Sequence, residues 1–454
     1  MSKKTKYTLV KVIVALCVVL CVVLTAFEMS ATYRLMKAAE VDGTEYSVAE
    51  YNWYYTNSVY EIYNSYYSTY GDLAQYIFNP QGGLEDQVYN QETGETWADY
   101  VKAYTDDSLV ELTKLYNEGK EAGFVLEDEF IEAIDAEWDA LEEVAKEYGY
   151  TTKSYVEMSY GRGVNEKVFK EMYERYYFAI EYAGHISDSV EVSKEDIDAY
   201  YSEHSEDFDN VSFKSYFVSG SAAEGEDAET AMNDAKAEAE AVLSGEKEVE
   251  FTENKYYVYS ETNTLYADWV FDSARTAGDK EIFESESGYY VVEFVSENDL
   301  HYNTINVRHI LIAPGDSTSE ESLAAAEEKA NLIVEEWKSK GATEEAFAEL
   351  AMVNSVDSSS ANGGLYENVF KGQMVTEFED WCFDSARKVG DVEVIKTSYG
   401  YHVMYFCGEA EEYYDYIIDL SIRSEELNSH IDSLVEGAEV SDLFGSRYIG
   451  KHFA

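Results

Sequence analysis

The sequence predicts a multidomain α+β protein: an N-terminal membrane helix, a helical module completed by the C-terminal helix, and two tandem α+β domains. Three observations carry that reading. A twelve-residue phrase, DWVFDSARTAGD at 268–279, returns without a gap as DWCFDSARKVGD at 380–391, with nine positions identical. Around each copy, β-rich runs alternate with helical ones, which marks α+β units. From 32 to about 205, apolar residues recur instead every three or four positions, the helical period. A chain of 454 residues also exceeds one ordinary core.

Taken in order, the first segment is 1–31. MSKKTKYTLVK puts four lysines before the apolar run VIVALCVVLCVVLTAF, a basic start followed by a stretch between a signal-peptide core and a full span. FEMSA places Glu28 and Met29 where a cleavage site wants small residues. The segment therefore reads as an uncleaved signal anchor with the remaining chain extracytoplasmic, a cell-membrane protein with a single span. A cleaved signal peptide is the alternative. Residues 32–207 read as a helical domain joined by 412–454, which contains IRSEELNSHIDSLVEG. Near its end Ser193 precedes Asp196 by three residues, a capping signature. The α+β units follow at 208–300 and 303–410. In the first, VSFKSYFVSG and GYYVVEFV read as strands; in the second, INVRHILIAP and GYHVMYFC do, and each repeated phrase reads as a helix ended by its glycine.

Composition narrows function. With 91 acidic against 33 basic residues the formal charge is −58, which repels phosphate and argues against nucleic acid as a partner. No metal-ligand spacing appears, and no cofactor is expected. Cys382 and Cys407 stand where the first copy has Val270 and Val295, so both read as small buried apolar sites; a disulfide is the alternative. The 42 tyrosines crowd stretches such as YNWYYTNSVYEIYNSYYSTYGDL. That is too many for one helical stripe. Either some line a groove suited to extended, part-unfolded chains, or tyrosine stands in for phenylalanine in an aromatic core.

The second unit resembles a known family. VRHILI, the loop SVDSSSANGG, KGQMVTEFEDWCFDSARKVGD and KTSYGYHVMYF are similar, in that order, to the parvulin type of peptidyl-prolyl cis-trans isomerase over about 305–409. The layout is similar to extracytoplasmic foldases of the PrsA and SurA kind. That resemblance implies two tandem parvulin-like domains, a chaperone-like helical module, and a foldase whose partners are unfolded or partly folded exported polypeptides with X-Pro bonds. Departures are GGLYENV, where a GGDLG-like run is usual, and Tyr399, where the family often has a small hydroxyl residue.

Isomerising an X-Pro bond needs no covalent step; its barrier of about 18–20 kcal/mol comes from amide resonance. An apolar slot for the proline ring, and polar groups that favour the twisted amide, suffice. Matched to the family, Met374 and Phe378 would floor the slot, with Gln373 and Tyr399 beside it. His309 on the first strand and His402 on the last would meet, Thr397 would hydrogen-bond the pair, and Asp357 would stand near the substrate carbonyl. Each has a plainer reading: packed core histidines, ordinary core for Met374 and Phe378, a loop cap for Asp357. In the first copy the corresponding residues are Ser215 for His309, Tyr290 for His402, Tyr266 for Phe378, Thr262 for Met374 and Ser285 for Thr397. Its spacing from first strand to repeat is 18 residues shorter, and the missing part includes the loop of Asp357. The first copy is therefore expected to be a degenerate domain without isomerase activity. A non-catalytic holdase or cell-surface binding protein, keeping both copies as scaffold, remains the alternative for the whole chain.

Overall fold

A computed structural model describes residues 30–222 and 227–453. The candidate anchor thus lies outside the described residues except for its last two positions. Among the described residues no helix is long and apolar enough to cross a membrane. The protein is multidomain α+β, and its chain divides into two compact units, 1–191 with 423–454, and 192–422.

The first unit runs α1 (Ser30–Leu35), β1 (Lys37–Val41), β2 (Thr44–Ser47), α2 (Val48–Tyr70), α3 (Trp97–Ala122), α4 (Asp128–Glu147), α5 (Thr152–Tyr160) and α6 (Glu166–Asp188). The β1–β2 hairpin falls inside the stretch read as purely helical. Its turn is Asp42-Gly43, both residues at positive φ, a dipeptide that tolerates the left-handed conformations a two-residue hairpin demands. Both α2 and α3 begin with capping boxes, Ser47 with Glu50 and Thr96 with Asp99, which satisfy the free N–H groups of the first turn. The C-terminal residues close the small sheet, with Ala39 opposite Asp442. The core is strongly aromatic: Tyr51, Trp53, Tyr54, Tyr55, Trp97, Trp138 and Phe169 are buried, while Tyr60, Tyr67, Tyr70 and Tyr76 are exposed. Tyrosine therefore builds part of an aromatic core, and other tyrosines stay on the surface. A cleft of about 760 Å³ is walled by Trp53, Tyr54, Tyr60, Tyr104, Tyr173 and Tyr176.

The second unit opens with α7 (Lys194–Phe208), whose Ser193–Asp196 capping box forms as its spacing predicts. Two four-stranded antiparallel sheets follow. The first holds β3 (Asn210–Ser219), β4 (Thr252–Val258), β5 (Lys280–Ser285) and β6 (Gly288–Glu297), in the order β4-β3-β6-β5, with α8 (Ala228–Ser244) and α9 (Ala267–Val270). The second holds β7 (Asn303–Ile312), β8 (Leu365–Val369), β9 (Val392–Thr397) and β10 (Gly400–Glu412), in the equivalent order β8-β7-β10-β9. With it come α10 (Glu320–Ser339), α11 (Glu344–Asn354) and α12 (Thr376–Cys382). A last helix, α13 (Tyr413–Val435), begins in this unit and ends in the first.

The repeated phrase does something other than extend a helix. In both copies the helix stops early, at Val270 and Cys382, and the rest is a turn. The Asp272 carboxylate accepts from the Ala274 N–H and that of Asp384 from the Ala386 N–H, side-chain turns that compete with helix. Arg275 lies over the Trp269 ring at 5.0 Å and Arg387 over Trp381 at 4.4 Å. Gly278 and Gly390, both at φ near +90°, donate to the carbonyls of Phe294 and Phe406. Each glycine docks the turn on the closing strand, so the phrase recurs because one scaffold joint recurs.

Candidate functional site

Strand alternation decides which side chains of the second sheet share a face. On β7, Ile305, Val307 and His309 point one way; on β10, His402, Met404 and Phe406 point the same way. The opposite face, with Ile310, Ile312, Val403 and Tyr405, is covered by α10 and α11. The two strands are antiparallel, with Met404 opposite His309 and Leu311 opposite His402. His402 is therefore a diagonal neighbour of His309, close enough for long or aromatic side chains to touch. Their rings stack with centroids 5.3 Å apart and 16° between planes, and the two Nδ1 atoms are 3.0 Å apart. Both rings are almost fully covered, at 2% and 4% exposure.

Partners surround the pair. Thr397 Oγ1 is 2.9 Å from His402 Nε2, and it accepts the backbone N–H of Tyr399. Asp357 Oδ1 is 3.1 Å from His309 Nε2. The carboxylate also accepts from the N–H and hydroxyl of Ser359, at 2.9 and 2.5 Å, and from the Tyr366 hydroxyl at 3.1 Å. Asp357 thus caps its loop and reaches the imidazoles as well. The loop is pinned to β7: Ser355 Oγ accepts from Leu311 N–H, and Arg308 donates to the Asn362 and Gly363 carbonyls. Gly364, at φ +74°, passes so near β7 that a Cβ there would stand 2.2 Å from the His309 carbonyl oxygen.

One proton pattern fits these contacts, with Ser359 Oγ also 3.2 Å from His309 Nε2. Burial raises the Asp357 carboxyl, but hydrogen bonds from Ser359 and the neighbouring His309 outweigh it and hold the group down at about 2. An ionised carboxylate only accepts, so His309 presents Nε2–H to it. His309 Nδ1 is then a bare acceptor and must receive Nδ1–H from His402. His402 Nε2 is bare in turn and receives the Thr397 hydroxyl proton. Both imidazoles stay neutral: burial pushes His309 down, and burial with the adjacent His309 pushes His402 down to about 4.

The floor beside the pair is apolar. The Phe378 ring meets both imidazoles edge-on, centroids 5.4 Å from His309 and 5.8 Å from His402. Met374 packs in the same cluster, half-buried. The two residues do not share a helix face, because α12 begins only at Thr376 and Met374 sits in the preceding turn. Gln373 is exposed, and its side-chain oxygen accepts the Phe370 N–H, so it braces its own loop rather than joining the cluster. The Tyr399 side chain is 64% exposed in the β9–β10 turn. Sequence reasoning missed Ser359 and Tyr366 as members. An Asp-x-Ser spacing, which favours a side-chain turn, was the available signal for Ser359. For Tyr366 it was only a departure from a pattern.

In the first sheet, Ser215 faces Val292 just as His309 faces Met404, so the strand registers correspond. Its equivalent face holds Tyr266 and Tyr290, rings 5.7 Å apart, with Phe213 and Phe283 against Tyr266. Tyr290 stands in the place of His402 and Ser215 in that of His309, so no imidazole pair can form there. Cys382 and Cys407 are both free, and burial pushes each thiol up to about 12. Among the described residues no cluster could hold a metal ion.

Comparison with known proteins agrees with this geometry for one part of the chain. Residues 294–408 match the PPIC-type PPIase domain, so this segment is a parvulin-type peptidyl-prolyl isomerase domain. The foldase protein PrsA of Staphylococcus epidermidis is 39% identical over 118 residues, which cover 24% of this chain and 34% of that protein. The chain thus spans about a third of the length of the curated relatives it matches. Among solved structures, PrsA from Bacillus subtilis aligns over 78% of this chain and 91% of its own, at 17% identity and a TM-score of 0.30. One of the SurA-like chaperones of Campylobacter jejuni aligns over 58% and 82%, at 10% identity and a TM-score of 0.17.

Proposed function

We propose that the chain is a membrane-anchored extracytoplasmic foldase that holds unfolded exported polypeptides and isomerises their X-Pro bonds in the domain of residues 294–408. The observation that carries the catalytic half is the buried relay Asp357–His309–His402–Thr397 beside the apolar floor of Phe378 and Met374. Its groups are neutral or acceptor-only and hold no activated nucleophile, which suits a reaction that breaks no covalent bond. The apolar floor takes the proline ring out of water. The relay fixes Asp357, with the Ser359 and Tyr366 hydroxyls around it, where the carbonyl before proline would turn. A planar amide carries more negative charge on its oxygen than a twisted one, so the ionised Asp357 fixed at that spot disfavours the planar form relative to the twisted one.

The holding half rests on the aromatic cleft of the first unit. Tyrosine offers apolar area with a polar end, apt for extended chains of many sequences. The lysine-flanked apolar start would fix the protein to the outer membrane–water boundary of the exporting cell. The first parvulin-like copy lacks the imidazoles and the loop of Asp357 and is read as non-catalytic. The test is a cis-to-trans prolyl peptide assay on the purified chain with His309→Ala and His402→Ala, each checked by circular dichroism for retained fold. We expect at least a roughly tenfold fall in kcat/KM in each variant. Equal rates in all three proteins would remove the catalytic reading and leave a holdase, which suppression of client aggregation would then measure.

A further inference from the structure

The first copy touches the slot of the second, and it does so with a strained residue. Between Val211 and Phe213 the β3–β4 ladder slips: Val211 faces Tyr257, Phe213 faces Asn254, so Lys255 and Tyr256 together oppose Ser212. This is a bulge, a device that re-aims a side chain out of the ladder. Tyr256 sits there at φ +57°, a conformation that costs a bulky residue. The second sheet has the same bulge, between Ile305 and Val307, and its left-handed position is filled by Asn368 at φ +51°. Asparagine tolerates that conformation and tyrosine does not, so nothing in the bulge itself asks for Tyr256.

Its surroundings do. The Tyr256 ring lies on Gly372, where a methyl group would stand 2.9 Å from it. Gly372 precedes Gln373 and Met374 in the loop that leads into α12. The Glu379 carboxylate, next to Phe378 on that helix, accepts the Gly372 N–H and stands near the Tyr256 phenol. Burial, then the Glu379 charge, pushes the Tyr256 phenol up to about 12. Between the copies lies a cavity of about 280 Å³ walled by Glu253, Lys255, Tyr256, Met374, Thr376 and Glu379. Met374 belongs both to this wall and to the floor beside Phe378, so one side chain borders both spaces.

We infer that the first copy completes the substrate cleft of the second: Tyr256 positions the Gly372–Met374 loop and walls a subsite for the client residues that flank the proline. Tyr256 is a positioning residue, and the inference rests on the isomerase reading of the second domain. The discriminating variant is Tyr256→Gly, which deletes the ring while suiting the left-handed backbone, so a merely structural role predicts an equally stable protein with unchanged kinetics. In the full chain, with a proline peptide of at least four residues, KM should rise roughly threefold to tenfold with kcat within twofold. Tyr256→Phe, which keeps the ring, should restore most of the loss. Unchanged KM in Tyr256→Gly, in a chain that turns over, overturns the inference. If the unsubstituted chain shows no turnover, the isomerase reading fails, and binding of the same peptide by fluorescence titration decides instead. A Kd weakened about as much in Tyr256→Gly supports the composite cleft; an equal Kd, or no binding by either protein, overturns it.

Discussion

Lowering the pH from 7 to 4 is expected to loosen the sheet of the parvulin-type domain through its imidazole pair. His402 is held neutral by burial down to about 4, whereas an exposed imidazole titrates near 6.5. Because the folded value lies below the unfolded one, the unfolded chain binds the proton first as pH falls. The stability this group permits is whole above 6.5, is lost between 6.5 and 4, and changes little further below. Integrating over that window gives about 3 kcal/mol, roughly a hundredfold in the opening equilibrium. His309 is displaced in the same direction and adds to the effect. Asp357, held at about 2, loses its contribution mainly below pH 4 and leaves this window alone. Hydrogen exchange of the β7 and β10 amides in the full chain, corrected for the intrinsic pH dependence of exchange, measures the change locally. A His402→Gln variant, which cannot titrate, should lose much less protection between pH 7 and 4. If variant and parent lose protection equally, the relay does not hold its imidazoles neutral, and the proton assignment built on Asp357 fails with it.

Two further outcomes follow from the same contacts. Thr397→Val keeps the shape but leaves His402 Nε2 without its donor, a buried unsatisfied acceptor that should cost about 1–3 kcal/mol in urea unfolding and lower kcat/KM as well. Cys382 and Cys407 are free and burial pushes both thiols up to about 12. Under native conditions a thiol reagent should therefore label the buried Cys382 only as fast as the domain opens and the half-buried Cys407 more slowly than an exposed thiol, and both immediately in denaturant.

Much of this molecule was legible along the chain. The strands β3, β6, β7 and β10 announced themselves by β-rich runs, the Ser193–Asp196 box by its spacing, and the two histidines by family motif. Other features were written locally but read wrongly. Asp42-Gly43 signals a hairpin inside a helical stretch, and the repeated phrase favours helix by composition until Asp272 and Asp384 turn their carboxylates onto the backbone. The short edge strands β5, β8 and β9 carry too few residues for periodicity to stand above background.

What the sequence determined by itself was which residues share a face within each strand, His309 with Ile305 and Val307, and His402 with Met404 and Phe406, and the loss of both histidines in the first copy, because these depend only on residue type and a period of two. Which of those side chains touch was decided by tertiary structure. Antiparallel register sets His402 diagonal to His309 across 93 residues of chain, and Arg308 and Ser355 lay the loop so that Ser359 and Tyr366 reach Asp357. The bulge that carries Tyr256 to Gly372 is likewise a property of strand pairing. Pairing register and loop docking are settled by the summed packing of distant segments, and no local pattern encodes that sum.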